Sequence, residues 1–238
     1  MNPKKPFQFE KTFEVLSFQI DPLGNLRWAA LGDLLQETAW KHADSRGFGQ
    51  KLFEANLVWV LSRLEIKVHH MPTWGEEIVV KTAGRGIHKL FALREFEVCN
   101  SKGEVIAEAN SAWLLLNTQT KRPQRPNQVL PSELFDEVED THHLPLKIDK
   151  TENLEKPIPI VVRASDLDMN NHVNNVSYIR WVEDYAYEFD LSFNYLAINY
   201  LSEAKIGETV DIKGNFNLEK ITLQGDNPVK QIFIAIIS

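Results

Sequence analysis

The chain has 238 residues, 43% of them hydrophobic and 25% charged, enough for one large domain or two small ones with real cores. Its net charge of -7 argues against a general affinity for nucleic acid or anionic membranes, and its apolar runs are too short to span a bilayer, so neither partner is expected. A single cysteine, Cys99, excludes an internal disulfide, and the opening lysines are followed by no apolar leader, which together point to a reduced, cytoplasmic setting.

In chain order, "TFEVLSFQID" alternates like a strand. The run "LRWAALGDLLQETAWKHADSRG" then sets Trp28, Leu31, Leu35, Thr38, Ala39 and His42 along one helical face, with Gly47 as its stop. Four β-rich runs follow, "LVWVLSRLEIKVHH", "EEIVVKTAG", "KLFALREFEVCN" and "EVIAEANSAWLLLNTQT", with "TWGEE" and "NSKGE" as turns, and Cys99 falls at a core position of the third. One strand, one long helix and a run of antiparallel strands make an α+β unit. From Lys121 the texture changes: the stretch running to Pro159 holds six of the 11 prolines, has no sustained period, and reads as a surface linker.

After the linker the order repeats. "IPIVVRAS" reads as a strand, "NNVSYIRWVEDYAYEF" as a helix, "YLAINYLSEAKIGETVDIKGNFNLEK" as two strands and "VKQIFIAIIS" as the last, the first unit again with a shortened end. "IDPLGNLRWAALGDLLQE" aligns without a gap on "LDMNNHVNNVSYIRWVED", pairing Asp21 with Asp168, Asn25 with His172, Leu35 with Val182 and Glu37 with Asp184, and "WGEEIVVK" aligns on "IGETVDIK". The expected organisation is a first unit over 1–120, a linker over 121–156 and a second unit over 157–238.

The copies differ at one place. Where the second has Asn170, His172 and Asn175, the first has Leu23, Asn25 and Trp28, so one copy is equipped for chemistry and the other for holding something apolar. Asn174 or Asn175 is a natural N-cap, and the residues before it lie at the positive end of a helix dipole, which can polarise a carbonyl. If the preceding segment is extended, Asp168, Asn170 and His172 project to one side, within reach of one ligand. Capping and turn chemistry alone is the competing reading of such an Asx-rich loop, but two asparagines suffice for a cap and leave Asp-x-Asn-x-His as surplus. Val173, Tyr178, Trp181, Val182, Tyr185 and Phe189 follow at helical spacing and read as core.

"RASDLDMNNHVNNVSYIRWVED" closely resembles the signature of the acyl-acyl carrier protein thioesterases of plants and bacteria, and "LQETAWKHADSRGFG", "VWVLSRLEIKV", "WGEEIVVKT" and "SAWLLLNTQTKRP" resemble that family's first half. The resemblance implies a double hotdog, two long helices each wrapped by antiparallel sheet. It implies hydrolysis of a fatty acyl thioester on acyl carrier protein, with the family's Asp, Asn and His on Asp168, Asn170 and His172 and its downstream Glu on Glu203. Many members have a cysteine after that glutamate; here Ala204 stands there, which excludes a Cys–His mechanism at this position.

A thioester needs no side-chain nucleophile. Glu203 or Asp168 would accept the proton of an attacking water, Asn170 and His172 would orient, and backbone N–H groups at Val173, Asn174 and Asn175 would hold the oxyanion. Trp28, Leu31, Leu35 and Trp59 are the expected lining of the acyl tunnel, although core packing explains the same residues. Arg85 and Lys89, in "GRGIHKLFALR", are the expected docking cations for the acidic carrier protein; "KRPQR" is a second basic stretch. The alternatives are an acyl-CoA thioesterase and a non-catalytic acyl-binding module, with a homodimer open as the assembly. Gly-x-Ser-x-Gly and Walker-type loops are absent, and His69-His70 and His142-His143 are adjacent rather than at ligand spacing, so no metal and no cofactor are expected.

Overall fold

The computed structural model describes residues 6–47, 52, 54–130, 142–217 and 220–238. The first unit runs β1 (Phe9–Glu14), α1 (Trp28–Ser45), β2 (Leu57–Val68), β3 (Glu77–His88), β4 (Phe91–Asn100) and β5 (Val105–Asn117). The second runs β7 (Glu155–Val161), α3 (Asn175–Glu188), β8 (Tyr195–Tyr200), β9 (Thr209–Phe216), β10 (Ile221–Asp226) and β11 (Gln231–Ile237). Between them the proline-rich segment carries β6 (Pro123–Gln124), which pairs with β5, and α2 (Pro126–Val129), with proline at the helix start where a missing N–H costs nothing. Residues 131–141 of that segment lie outside the described residues. Its end crosses the back of the sheet, where Asn199 Oδ1 accepts from Ile148 N at 2.9 Å and Asn199 Nδ2 donates to Leu146 O at 2.9 Å.

One antiparallel sheet joins both units in the order β1-β3-β4-β5-β2-β8-β11-β10-β9-β7. The order is a mirror of itself, each strand of one unit answering its counterpart in the other across the β2–β8 seam. In that seam Glu65 pairs with Ala197, positions that correspond in the repeat, so a pseudo-two-fold axis passes between them. The correspondence extends to single backbone bonds: His69 and His70 both donate to Ile106 O, and Leu201 and Ser202 both donate to Ile232 O. β10 completes the match. The sequence reading of a shortened second unit is therefore corrected: the strand number is the same and only the strands after the helix are shorter, and "ITLQGD" ends in turn-forming residues that hide a six-residue strand.

The apolar stripes of both helices share one core with the sheet, from Leu31, Leu34 and Leu35 on α1 to Ile179, Val182 and Tyr185 on α3. They meet at Gly32, where an added Cβ would stand 2.9 Å from Ile179 Cδ1.

Candidate active site

The loop from Asp168 to Val173 is a tight turn, so the expectation of an extended, same-side display is corrected. Asp168 Oδ1 accepts from Asn170 N at 2.8 Å and His172 N at 3.1 Å, Oδ2 accepts from Asn170 Nδ2 at 3.4 Å, and Asp168 N donates to His172 O at 2.7 Å. Asn171 supplies the left-handed residue, φ 59°, that such a turn needs. The first unit builds the same turn: Asp21 Oδ1 accepts from Leu23 N at 2.8 Å and Asn25 N at 2.9 Å, with Gly24 at φ 87°. An aspartate whose Oδ1 takes the same two amides in both copies is a fixture of the fold, and its Oδ2 takes a side-chain amide in each, from Asn25 at 3.3 Å in the first and Asn170 at 3.4 Å in the second.

Below this turn, Asp166 is buried and bonds Arg163 N at 2.7 Å, forms an ion pair with Arg180, and through its carbonyl accepts from Ser177 Oγ at 3.0 Å and Asn174 N at 2.8 Å. These contacts pin the loop to the first turns of α3. Asn174 is the N-cap, its Oδ1 accepting from Val176 N at 3.2 Å.

The two copies part at the next layer. In the first unit the loop is zipped to the segment before β3: Leu26 N donates to Pro72 O at 2.8 Å, Trp74 N donates to Gly24 O at 3.0 Å, and Asn25 bridges Thr73. In the second unit no counterpart bond joins 171–173 to 204–206 among the described residues. Into that gap point His172 and Glu203, with His172 Nε2 3.3 Å from Glu203 Oε2, both partly exposed. The amides of Val173 and of Asn175, the first residue of α3, have no acceptor among the described residues.

Behind the gap Ala204 is fully buried, its N–H donating to Tyr178 Oη at 3.3 Å. Burial, reinforced by the nearby carboxylates and opposed by the Ala204 N–H, pushes the Tyr178 phenol up to about 12, so it is neutral at working pH. Cys99 sits in the other unit on β4, and burial pushes its thiol up against the pull of Lys81, the reverse of an activated nucleophile.

A narrow cleft, partly open to solvent, lies at Asn175 between the helices and the sheet of the first unit. Leu35 and Gln36 of α1, Leu61 and Leu64 of β2, Phe96, Trp113 and Tyr200 form most of its wall. Of the four expected lining residues, Leu35 is there. Leu31 is fully buried in the core, Trp28 stacks on Phe193 at 4.5 Å, and Trp59 packs near Leu115 and Leu130 in a separate cluster. Arg85 is buried and hydrogen-bonded to Glu95 at 2.6 Å, so its charge is spent inside the fold, whereas Lys89 is exposed on the β3–β4 turn. Among the described residues there is no group of three or more metal-ligating side chains.

The sequence reading missed Gln36 and Glu183. Glu183 of α3 reaches the start of α1, where its carboxylate accepts from Trp28 N at 2.9 Å and Ala29 N at 3.3 Å. Gln36, the position aligned with it, sits at the start of α3 and donates from Nε2 to Asn174 Oδ1 at 3.4 Å. The gapless alignment already set the two opposite each other.

Duplicated helix-and-sheet units in one chain, one copy zipped and the other open onto an apolar cleft, define a double hotdog. Residues 6–134 match the acyl-ACP thioesterase N-terminal domain and residues 149–230 the acyl-ACP thioesterase C-terminal domain. The chain belongs to the acyl-acyl carrier protein thioesterase family. A palmitoyl-acyl carrier protein thioesterase of Arabidopsis thaliana, chloroplastic by name, is 31% identical over 202 residues, 75% of this chain and 47% of the relative. An oleoyl-acyl carrier protein thioesterase of the same plant is 30% identical, covering 73% of this chain and 53% of its own length, so the chain spans about half the length of these relatives. An acyl-ACP thioesterase from Bacteroides thetaiotaomicron superposes with a TM-score of 0.80 at 26% identity over 96% of both chains. The 12:0-ACP thioesterase from Umbellularia californica, 23% identical with a TM-score of 0.79 over 97% of this chain and 96% of its own, shows the fold. No described helix is long and apolar enough to cross a membrane.

Proposed function

We propose that this protein hydrolyses fatty acyl-acyl carrier protein thioesters to free fatty acid and carrier protein, using water as the nucleophile. The observation that carries this reading is the opened second copy: an unzipped loop, two amides without acceptors among the described residues, the His172–Glu203 pair, and an apolar cleft at the same helix mouth. The thioester carbonyl oxygen lies against the Val173 and Asn175 amides at the positive end of α3. Each such donor contributes roughly 10²- to 10³-fold as the oxyanion develops. Glu203 accepts a proton from water while His172 Nε2–H holds its carboxylate. The water oxygen adds to the carbonyl carbon, and collapse of the tetrahedral oxyanion expels the thiolate, which is reprotonated to the free thiol. Glu203 takes the base's role in preference to Asp168 because the Asp168 oxygens already serve the turn. Asn170 Nδ2 rests on Asp168 and supports the loop.

The acyl chain occupies the cleft beside Leu35. Docking of the acidic carrier protein draws on Lys89; charge reversal there should raise KM for carrier-bound substrate and leave a free thioester alone. The same reading places the enzyme in the cytoplasm, where a lone buried thiol stays reduced. The decisive experiment is single-turnover hydrolysis of a long-chain acyl carrier thioester by wild type and by Glu203→Ala, His172→Ala, Asn170→Ala and Asp168→Ala. Glu203→Ala should lose roughly 10²- to 10⁴-fold, the range for a positioned general base. Wild-type rates in all four variants would overturn the assignment.

A further inference from the structure

The two helix N-termini are related by the pseudo-two-fold, yet they are finished differently. The start of α1 has no side-chain cap of its own, and Glu183 of the other helix fills it, one oxygen 2.9 Å from Trp28 N and the other 3.3 Å from Ala29 N. Burial raises the Glu183 carboxyl, and those two N–H groups pull it back down, as expected for a carboxylate serving as an internal ligand of a helix end. The start of α3 is capped by its own Asn174, which takes the Val176 N–H and leaves the Asn175 N–H, the counterpart of the Trp28 N–H, without an acceptor among the described residues. Opposite it, where Glu183 has its counterpart, stands Gln36, lining the cleft and donating to Asn174 Oδ1 at 3.4 Å.

We infer that the neutral side chain of Gln36 is a positioning device for the reaction: it steadies the Asn174 cap and keeps the α3 mouth vacant for the thioester oxygen, a place that a carboxylate at position 36 would occupy as Glu183 occupies the α1 mouth. The inference rests on the thioesterase reading above. The first copy acts as an internal demonstration of what this geometry binds, an anionic oxygen, and the Glu-to-Gln difference decides whether that oxygen belongs to the protein or to the substrate. An amide is isosteric with a carboxylate, so the difference is one of charge and not of space.

The test is Gln36→Glu, which preserves shape and therefore folding. The titratable groups near position 36 are Asp33 and Glu37 on its own helix, Glu37 paired with Lys11 at 2.9 Å, the Tyr200 phenol on the same cleft wall, and His172, two residues before the Asn174 that Gln36 touches, with its partner Glu203. At pH 8 the variant should lose about 10²-fold in kcat/KM, the scale of one oxyanion donor, with the fall mainly in kcat. Relative to wild type, activity should return as pH is lowered toward 5 and the new carboxyl protonates. Gln36→Met, neutral but without the amide, should stay within about tenfold of wild type at both pH values, since only one long neutral hydrogen bond is lost. Glu183→Gln should lower the Tm and leave the pH profile unchanged. If wild type hydrolyses no acyl thioester, the functional reading fails. If wild type is active and Gln36→Glu matches it at pH 8, or falls without recovery at low pH, the inference about Gln36 is overturned.

Discussion

Leu35→Trp tests whether the cleft behind Asn175 measures the acyl chain. Leu35 is 2% exposed and stands on the cleft wall with Leu61, Leu64 and Phe96, so an indole there must project into the space a chain would use. Each methylene kept out of an apolar site forfeits about 0.8 kcal/mol, about fourfold in kcat/KM. Excluding three methylenes should therefore lower kcat/KM for the longest substrates by about 60-fold and leave the shortest untouched, moving the preferred product downward. The overfilled core should cost about 1–3 kcal/mol of stability, which a thermal scan separates from the catalytic effect. Leu31→Ala is the matched control. Leu31 is one turn away, 1% exposed and off the cleft, so its truncation should destabilise by about 2–5 kcal/mol without shifting the profile. The assay is release of free acid from a series of acyl carrier thioesters differing only in chain length. An unchanged profile in folded Leu35→Trp, or the same shift in Leu31→Ala, would refute the reasoning.

Three further outcomes follow from the packing. His42 Nδ1 lies 2.9 Å from Arg94 Nη1; a guanidinium only donates, so Nδ1 accepts and the buried Nε2–H is left without a partner among the described residues. Burial first, then Arg94 and Arg46, drives the His42 pKa from 6.5 to about 4, so the unfolded chain binds the extra proton in that window. Stability from this group is complete above pH 6.5 and should fall by about 3 kcal/mol as pH drops to 4, a slope that denaturant titration of His42→Leu should show flattened. Gly225→Ala should cost about 1–3 kcal/mol, because its Cβ would stand 2.2 Å from a ring carbon of the fully buried Phe233, and Phe233→Leu should recover part of that loss. Asp21→Ala and Asp168→Ala should each destabilise by a similar amount, about 1–2 kcal/mol, since they hold identical turns, but only Asp168→Ala should slow single-turnover hydrolysis.

Much of this architecture is legible in the one-dimensional pattern. The helical stripe from Trp28 to His42, the cap at Asn174 and the gapless pairing of Asp21 with Asp168 all rest on local periodicity and capping, and all appear in the fold. What the pattern hides depends on the third dimension. "ITLQGD" becomes a strand because β9 and β11 flank it on both sides, a context that overrides its turn-like residues. Arg85 carries the same letter as a surface cation, but Glu95 of the neighbouring strand and the N-terminal segment at Pro6 and Phe7 close over it. The direction of the Asp168 carboxylate follows from a left-handed residue at Asn171, which sequence alone leaves open between turn and strand. Glu203 is reached only through family resemblance, for nothing local in "NYLSEAKIG" separates a solvated strand end from a carboxylate facing His172.

The pseudo-two-fold explains how one chain can finish its two helix mouths differently. In a symmetric dimer, residues facing each other across the axis must be identical, so any side chain large enough to shape one mouth also obstructs the other. Here the axis passes where Gly32 meets Ile179, positions that correspond in the repeat, and the would-be Cβ of Gly32 lies 2.9 Å from the Ile179 side chain that helps line the cleft. Two isoleucines at this crossing would not fit, and two glycines would leave the cleft without a wall. The same release from equality separates Gln36 from Glu183, Asn170 from Leu23 and His172 from Asn25. Covalent fusion thus lets one helix end be plugged by a carboxylate, securing the scaffold, while the first amide of its twin keeps no acceptor among the described residues.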